Sequence, residues 1–471
     1  MERFEPARKH AELGAEFYDP VAAAIFPQTI LRFRNQLWAG RVGLGGLDED
    51  AWIAHFGRFK PLPGSFEEPL ALRYHGHQFR SYNADLGDGR GFLFAQLYDL
   101  EDRRLLDLGT KGSGRTPWSR GGDGRLTLKG GVREVLATEM LEALGVYTSK
   151  SFSLIETGEA LMRGDEPSPT RSSVLVRLSH SHIRIGTFQR LAFLGDNDSL
   201  SRLVDYCIAV YMPELTAPDL AQRATNLLER VARNAARLSA QWTAAGFVHG
   251  VLNSDNINIT GESFDYGPWR FLPVYDPHFT AAYFDETGLY AFGNQPDALA
   301  WNATRLAECL VPLASVESLE PALNTFWPEF RLQLCAALLR RLGLNSAGEA
   351  IDGEFMGALF PYLAESQAPY EQFFFDWRGG ALSAERAAKS PAADFYANPA
   401  FEPIANLMEA FAPSDSVNLD HAYFAQERPR TMLVEDVEAI WAPIAESDGW
   451  SGFETALADI ARMREAYGGD R

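Results

Sequence analysis

Short apolar runs dominate the first part of the chain, and long amphipathic runs dominate the rest. Between about residues 70 and 185, glycine-rich turns separate β-type runs at 89–100 (GRGFLFAQLYDL), 150–161 (KSFSLIETGEAL) and 172–179 (SSVLVRLS). One helical period interrupts them. Val132, Val135, Leu136, Met140, Leu141 and Leu144 recur at helical spacing, and Gly145 stands where such a helix would close. From Ala217 the period changes. Pro218 lies near the start of a long predicted helix with Leu220, Leu227, Val231, Leu238 and Trp242 on one stripe, and this helix runs straight into His249. Beyond about residue 296 the pattern is mostly helical again, at 297–314, 327–344 and 434–446. Phe373, Phe374, Phe375 and Trp377 are read as core. The pattern predicts an α+β fold in three parts: 1–190 with the strands, 191–300, and a helical 301–471.

Composition adds bounds. With 471 residues, 46% hydrophobic and 23% charged, the chain is expected to be a soluble globular protein with a large core. A net charge of -20 argues against broad binding to nucleic acid or anionic membranes. It leaves open a local basic site for a small anion. Cys207, Cys309 and Cys335 are far apart and form no CxxC, so neither a zinc site nor a disulfide framework is expected, and a reducing cytoplasm is. No apolar run reaches 18 residues and the start has no h-region, so neither a membrane span nor a signal peptide is expected.

Candidate chemistry begins at Leu108-Gly-Thr-Lys-Gly-Ser-Gly114, where Lys111 sits among glycines and can meet phosphate oxygens as a point charge. The order is not that of a P-loop. The bland alternative is a turn with a solvated lysine. Glu134 follows on the predicted helix, as a partner for Lys111 or as an exposed carboxylate. Gly87-Asp-Gly-Arg90 and Gly122-Asp-Gly-Arg125 repeat one tetrapeptide that favours tight hairpins, and its Arg would suit an anion held on backbone N–H groups. Arg177 and Arg184 are candidates for a further phosphate clamp. His75-x-His77 and His180-x-His182 invite a metal reading, but structural hydrogen bonding is the better one. Neither GxSxG nor a Rossmann GxGxxG is present.

The richest stretch is His249-Gly-Val-Leu-Asn-Ser-Asp-Asn256, followed by Asp265-Tyr-Gly267. In a protein-kinase catalytic loop an Asp stands two residues after the His and accepts the substrate proton, with a metal-binding Asn five residues later. Here Asn256 keeps its offset, but the Asp position is Val251. Asp265 matches the metal-binding Asp of the D-F-G triplet, and the short gap to Asn256 predicts a tight β-hairpin between two ligands for Mg²⁺. Lysine, helix glutamate, His-anchored loop and Asp-x-Gly stand in kinase order, and strands flanking one helix resemble a kinase small lobe. The residues are those of a dead kinase or of a nucleotide enzyme with other chemistry.

LGDGR, KGSGRTPWSRGGDGR, REVLATEM, SHIRIGTF and HGVLNSDNINITGESFDYGP closely resemble the selenoprotein O family, through motifs from about 70 to 300. The resemblance implies a protein-kinase-like bilobal fold, a pseudokinase by its catalytic loop, with a helical C-terminal extension. It further implies ATP bound in a flipped orientation, with Mg²⁺ or Mn²⁺, and AMP transferred to Ser, Thr or Tyr hydroxyls of protein substrates. Lys111 and Glu134 then match the phosphate-engaging ion pair, Asn256 and Asp265 the metal ligands, and Asp255 the proposed proton acceptor. Gly87, Gly89, Arg90, Asp123, Gly124, Arg177 and Arg184 match nucleotide contacts. The chain departs from the family in ending AYGGDR without the Cys-x-x-selenocysteine of some members, in Trp118 where Tyr is expected, and in Ser254 where Thr is usual. The competing readings are a non-catalytic nucleotide-binding scaffold, transfer of UMP, and phosphoryl transfer with Asp255 as the base.

Overall fold

A computed structural model describes residues 4–164 and 166–468; the final residues of the AYGGDR ending lie outside them. The first part builds one antiparallel sheet, ordered Tyr18–Pro20, Leu70–Leu72, Leu93–Tyr98, Leu105–Lys111, Thr170–Ser179, Lys150–Leu161 and Ile30–Arg34. Two short strands, Pro6–Ala7 and Leu126–Thr127, pair off this path. The three β-type runs of the sequence all lie in this sheet.

Both faces of the sheet are covered, so its central strands are buried along almost their whole length. Val174, Val176, Leu178, Phe152 and Ile155 face one way, toward Trp38, Trp52 and Phe56 of two N-terminal helices. Leu175 and Leu154 face the other way, onto the helix Leu128–Ala143. That helix starts where the Thr127 side chain accepts from the Gly130 N–H, and it buries Val132, Val135, Leu136, Met140 and Leu141. Gly145, at φ +82°, ends it as the spacing predicts.

The helix Leu220–Ala245 is capped by Asp219 and closed by Gly246 in the left-handed region. Leu227, Val231, Leu238 and Trp242 are buried along it, while Leu220 is only partly covered. Helices Gln295–Leu310, Phe326–Leu342 and Val434–Ser447 match the later periodic segments. Phe373, Phe374, Phe375 and Trp377 are buried, as their reading as core requires. The last two helices, Val434–Ser447 and Ser451–Ala466, return to pack against Leu128–Ala143. Among the described residues no helix is long and apolar enough to cross a membrane, and all three cysteines are buried and unpaired.

Candidate active site

Strand register decides which side chains enter the cleft. Lys111 ends its strand opposite Leu175, and Gly109 lies opposite Arg177. Directly paired residues share a face, so Lys111 and Arg177 both project on the side of the helix Leu128–Ala143. Glu134, buried on that helix, takes Lys111 Nζ in an ion pair. The strand–helix pairing expected from the sequence is present.

Lys111 Nζ also lies 3.0 Å from Asp265 Oδ1, and Arg177 donates to the same oxygen at 3.2 Å. Burial by itself would raise the Asp265 carboxyl, but Lys111, Arg177, Arg184 and Arg90 overcome it and hold the group well below the usual carboxylate range. Asp265 Oδ2 makes no hydrogen bond among the described residues. Its backbone adopts φ +63°, a sparsely populated conformation for a non-glycine residue. The residue is therefore a fixed anion with one oxygen still available.

The segment before it is tied down group by group. His249 receives its orientation from Gln295 Oε1, which accepts the His249 N–H at 2.9 Å, and from the Phe264 carbonyl 3.0 Å from Nε2. Asn253 Oδ1 accepts from the Phe79 N–H at 3.0 Å and the Tyr290 hydroxyl at 2.9 Å. Ser254 Oγ accepts the His77 N–H at 2.7 Å and donates to Gln189. A single 3₁₀ turn, Ser254–Asn256, then presents Asp255 and Asn256 to the cleft. Asn256 Nδ2 donates to the Val251 carbonyl at 3.2 Å, which leaves its Oδ1 as the free acceptor.

The predicted hairpin between Asn256 and Asp265 is not formed. The Ile257 carbonyl accepts from the Ile185 N–H, and the Ile259 N–H donates to Ile183. Ser263 bonds Tyr147 and Ser149 through its backbone. Each flank of the link satisfies its polar groups on a different neighbouring segment, which competes successfully with self-pairing. The two Asp-Gly dipeptides do not cap hairpins either. Gly87–Arg90 is a bend whose flanks both bond the Leu70–Arg73 edge, and Gly122–Arg125 lies in the loop before Leu126. Thr116 and Ser119 donate to the Asp88 and Gly89 carbonyls at 2.5 Å and bind the two loops together. Trp118 lies against Gly87, where a Cβ would come within 2.4 Å of its ring. Only glycine admits that contact.

These elements enclose a cleft of about 750 Å³. Lys111 and Arg177 line it from the sheet, and Gly87, Gly89, Arg90, Asp123 and Gly124 from loops between strands. Arg184, Asp255, Asn256 and Asp265 line it from later segments, while Glu134 stands behind Lys111. Eight Arg or Lys side chains face it against four Asp, in a chain of net charge -20. Arg90, Arg115 and Arg120 make no side-chain hydrogen bond or ion pair among the described residues, so they are free to meet an anion.

Among the described residues, Asp255 is the carboxylate of the cleft with no cationic partner in contact. It is 9% exposed, its Oδ1 makes no hydrogen bond to any of them, and a Cβ on Gly76 would stand 2.7 Å from that atom. Burial pushes its pKa up to about 6 against the opposing pull of its own backbone hydrogen bond and of Arg184.

Sequence reasoning missed five contributors. Asp88, inside the first GDGR, holds Arg184 Nη1 at 2.9 Å and accepts the Leu72 N–H at 3.1 Å. The rings of Tyr74 and Phe264 lie 4.2 and 5.3 Å from the Arg184 guanidinium. Arg115 and Arg120 sit between the two GDGR copies, and their basic spacing was the available signal. The His-x-His pairs hold structure. His75 meets the Tyr82 hydroxyl, His77 Gln189, His180 the Tyr147 hydroxyl and His182 Asp107. Among the described residues no group of three His, Cys, Asp or Glu could hold a metal.

The family model described as "Protein adenylyltransferase SelO" matches residues 2–461. A protein nucleotidyltransferase YdiU of Gloeobacter violaceus is 45% identical over 480 residues, covering 98% of this chain and 95% of the relative. Its namesake in a Synechocystis species is 44% identical over 474 residues, covering 97% of each. That of Vibrio vulnificus is 37% identical over 373 residues, 78% of this chain and 74% of the relative. With the family model spanning nearly the whole sequence and two relatives matched over 95% and 97% of their length, the chain belongs to the SelO family.

Proposed function

We propose that this nucleotidyltransferase is a protein adenylyltransferase, moving AMP from ATP to a Ser, Thr or Tyr hydroxyl with release of pyrophosphate. The observation that carries the reading is the pairing of a basic, metal-competent cleft with Val251 at the kinase base position and Asp255 beside Asn256. We take the two-lobed, kinase-like arrangement to underlie it, with 1–190 as the small lobe, 191–300 as the catalytic core and 301–471 as the helical extension.

The donor set suits a hard divalent cation. Asp265 offers an ionised oxygen and Asn256 an amide oxygen, and phosphate and water oxygens would complete the shell of Mg²⁺ or Mn²⁺. Such an ion, when bound, would neutralise charge on the phosphates. The protein's own groups do the rest. In this reading ATP lies reversed, with its outer phosphates among Arg90, Arg177 and Arg184 and its α-phosphorus toward Asp255. The acceptor oxygen forms a bond to the α-phosphorus, the bond to the bridging oxygen breaks, and pyrophosphate takes the electron pair. Asp255, ionised above about pH 6, orients the hydroxyl and accepts its proton or passes it to water. Lys111, fixed by Glu134, and the guanidiniums stabilise the leaving charge.

Mass spectrometry after incubation with ATP and Mg²⁺ or Mn²⁺ tests this. The expected product is an AMP adduct on the protein itself or on added proteins. Tight nucleotide binding with no adduct under either cation would instead favour the scaffold reading, which Val251 supports.

A further inference from the structure

A second cavity of about 620 Å³ shares none of the cleft's lining residues. Its walls come from the end of the helix Leu128–Ala143, the long helix Leu220–Ala245, the sheet and the link between Asn256 and Asp265. The mechanism uses none of it. Seven Arg or Lys side chains face it against two Glu, the second such concentration in an acidic chain.

Most of these cations are already engaged. Lys150 and Arg464 pair with Glu142, Arg230 with Glu214, and Arg104 with Asp102. Arg237 is different. Among the described residues its guanidinium lies 5.4 Å from the Tyr147 ring and makes no ion pair, and its buried Nε makes no hydrogen bond. A half-buried cation without an anion costs stability that a bound anion would recover. The surrounding wall is aromatic, with rings at steep angles to one another: Tyr147 and His180 are joined by a 2.6 Å hydrogen bond, and the Tyr211 ring stands edge-on to His180 at 5.6 Å. Glu262 lies beside them, its Oε2 accepting the His180 N–H at 2.9 Å.

We infer that this cavity binds a small phosphorylated ligand with a planar ring, of the nucleoside monophosphate class, with Arg237 receiving the phosphate and the Tyr147–His180–Tyr211 wall the ring. The volume is that of a small-molecule site, and guanidinium plus aromatic wall is the chemistry that holds such a ligand. Because Thr260 and Glu262 belong to the link between Asn256 and Asp265, the site adjoins the active cleft through one short segment.

Isothermal titration with AMP, on the full chain, tests the assignment. Wild type should show two binding events. Lys111→Ala should remove the one in the cleft, and Arg237→Ala should weaken the other at least tenfold, with Arg237→Lys recovering part of it and melting curves confirming that both variants fold. A single event lost completely in Lys111→Ala would overturn the inference, as would wild-type titrations for Arg237→Ala. Inorganic phosphate competing at the second site as strongly as AMP would remove the ring from the assignment and so contradict it.

Discussion

At the scale of single residues the decisive contrast is between two carboxylates with opposite surroundings. Asp265 is held ionised by contacting cations, whereas burial holds Asp255 near pH 6 with no cation in contact. Their loss should separate binding from chemistry. Asp265→Ala should abolish both metal-dependent nucleotide binding and transfer in a calorimetric and radiolabel assay. Asp255→Ala should bind nucleotide normally and transfer AMP 10²- to 10⁴-fold more slowly, roughly the scale of a lost acid–base group. Equal and unimpaired transfer in both would mean the site is placed wrongly. The pH dependence follows from the sign of the shift. A carboxylate raised from 3.8 to about 6 favours the protonated folded state, so the penalty of its charge grows from pH 4 and is complete above pH 6. Transfer should fall with one proton below about pH 6. Asp255→Asn should be more stable than wild type at pH 7.5 by roughly 2–3 kcal/mol, and thermal melts should show that gain vanish toward pH 4.

At the scale of elements, the helix Leu128–Ala143 carries Glu134 and is held from outside the sheet. Arg464 of the last helix contacts Glu139 and, at 3.3 Å, Glu142, and all three side chains are largely buried. Removing the cation leaves the buried Glu139 carboxylate without an ion pair among the described residues and Glu142 with Lys150 alone, so Arg464→Ala should lower stability by about 3 kcal/mol in denaturant unfolding. Transfer should fall with it as Lys111 loses its fixed partner. An unchanged midpoint would show the anchor to be dispensable. This element also marks what the sequence can and cannot reveal. Its apolar period and terminal Gly145 are local signals, and so was the offset from Lys111 to Glu134. The partnership of Asp88 with Arg184 spans 96 positions and is created only by the folding of the sheet edge onto the Arg184 cap. The link from Asn256 to Asp265 was misread for the same reason. Two ligands close in sequence suggest a hairpin, but its backbone groups found better partners in Ile183, Ile185, Tyr147 and Ser149.

At the scale of the whole molecule, one apolar cluster joins the helix Leu128–Ala143, the long helix Leu220–Ala245 and the C-terminal pair, including Val437, Ile444, Phe453 and Ile460. The helical end of the chain is therefore part of the structure that supports Glu134, a relation invisible in its periodicity. Truncation before Val434 should expose this apolar face and yield a chain that aggregates or loses its cooperative melt. A truncated chain with wild-type transfer would contradict that dependence. Charge is also arranged at this scale, with basic side chains concentrated around the cleft of an acidic protein. The central claim is that this cleft delivers the α-phosphorus of ATP to a hydroxyl, and parallel incubations with α- and γ-labelled ATP address it most directly. Label should enter protein from the α position alone; label entering only from the γ position would contradict adenylylation and establish phosphoryl transfer instead.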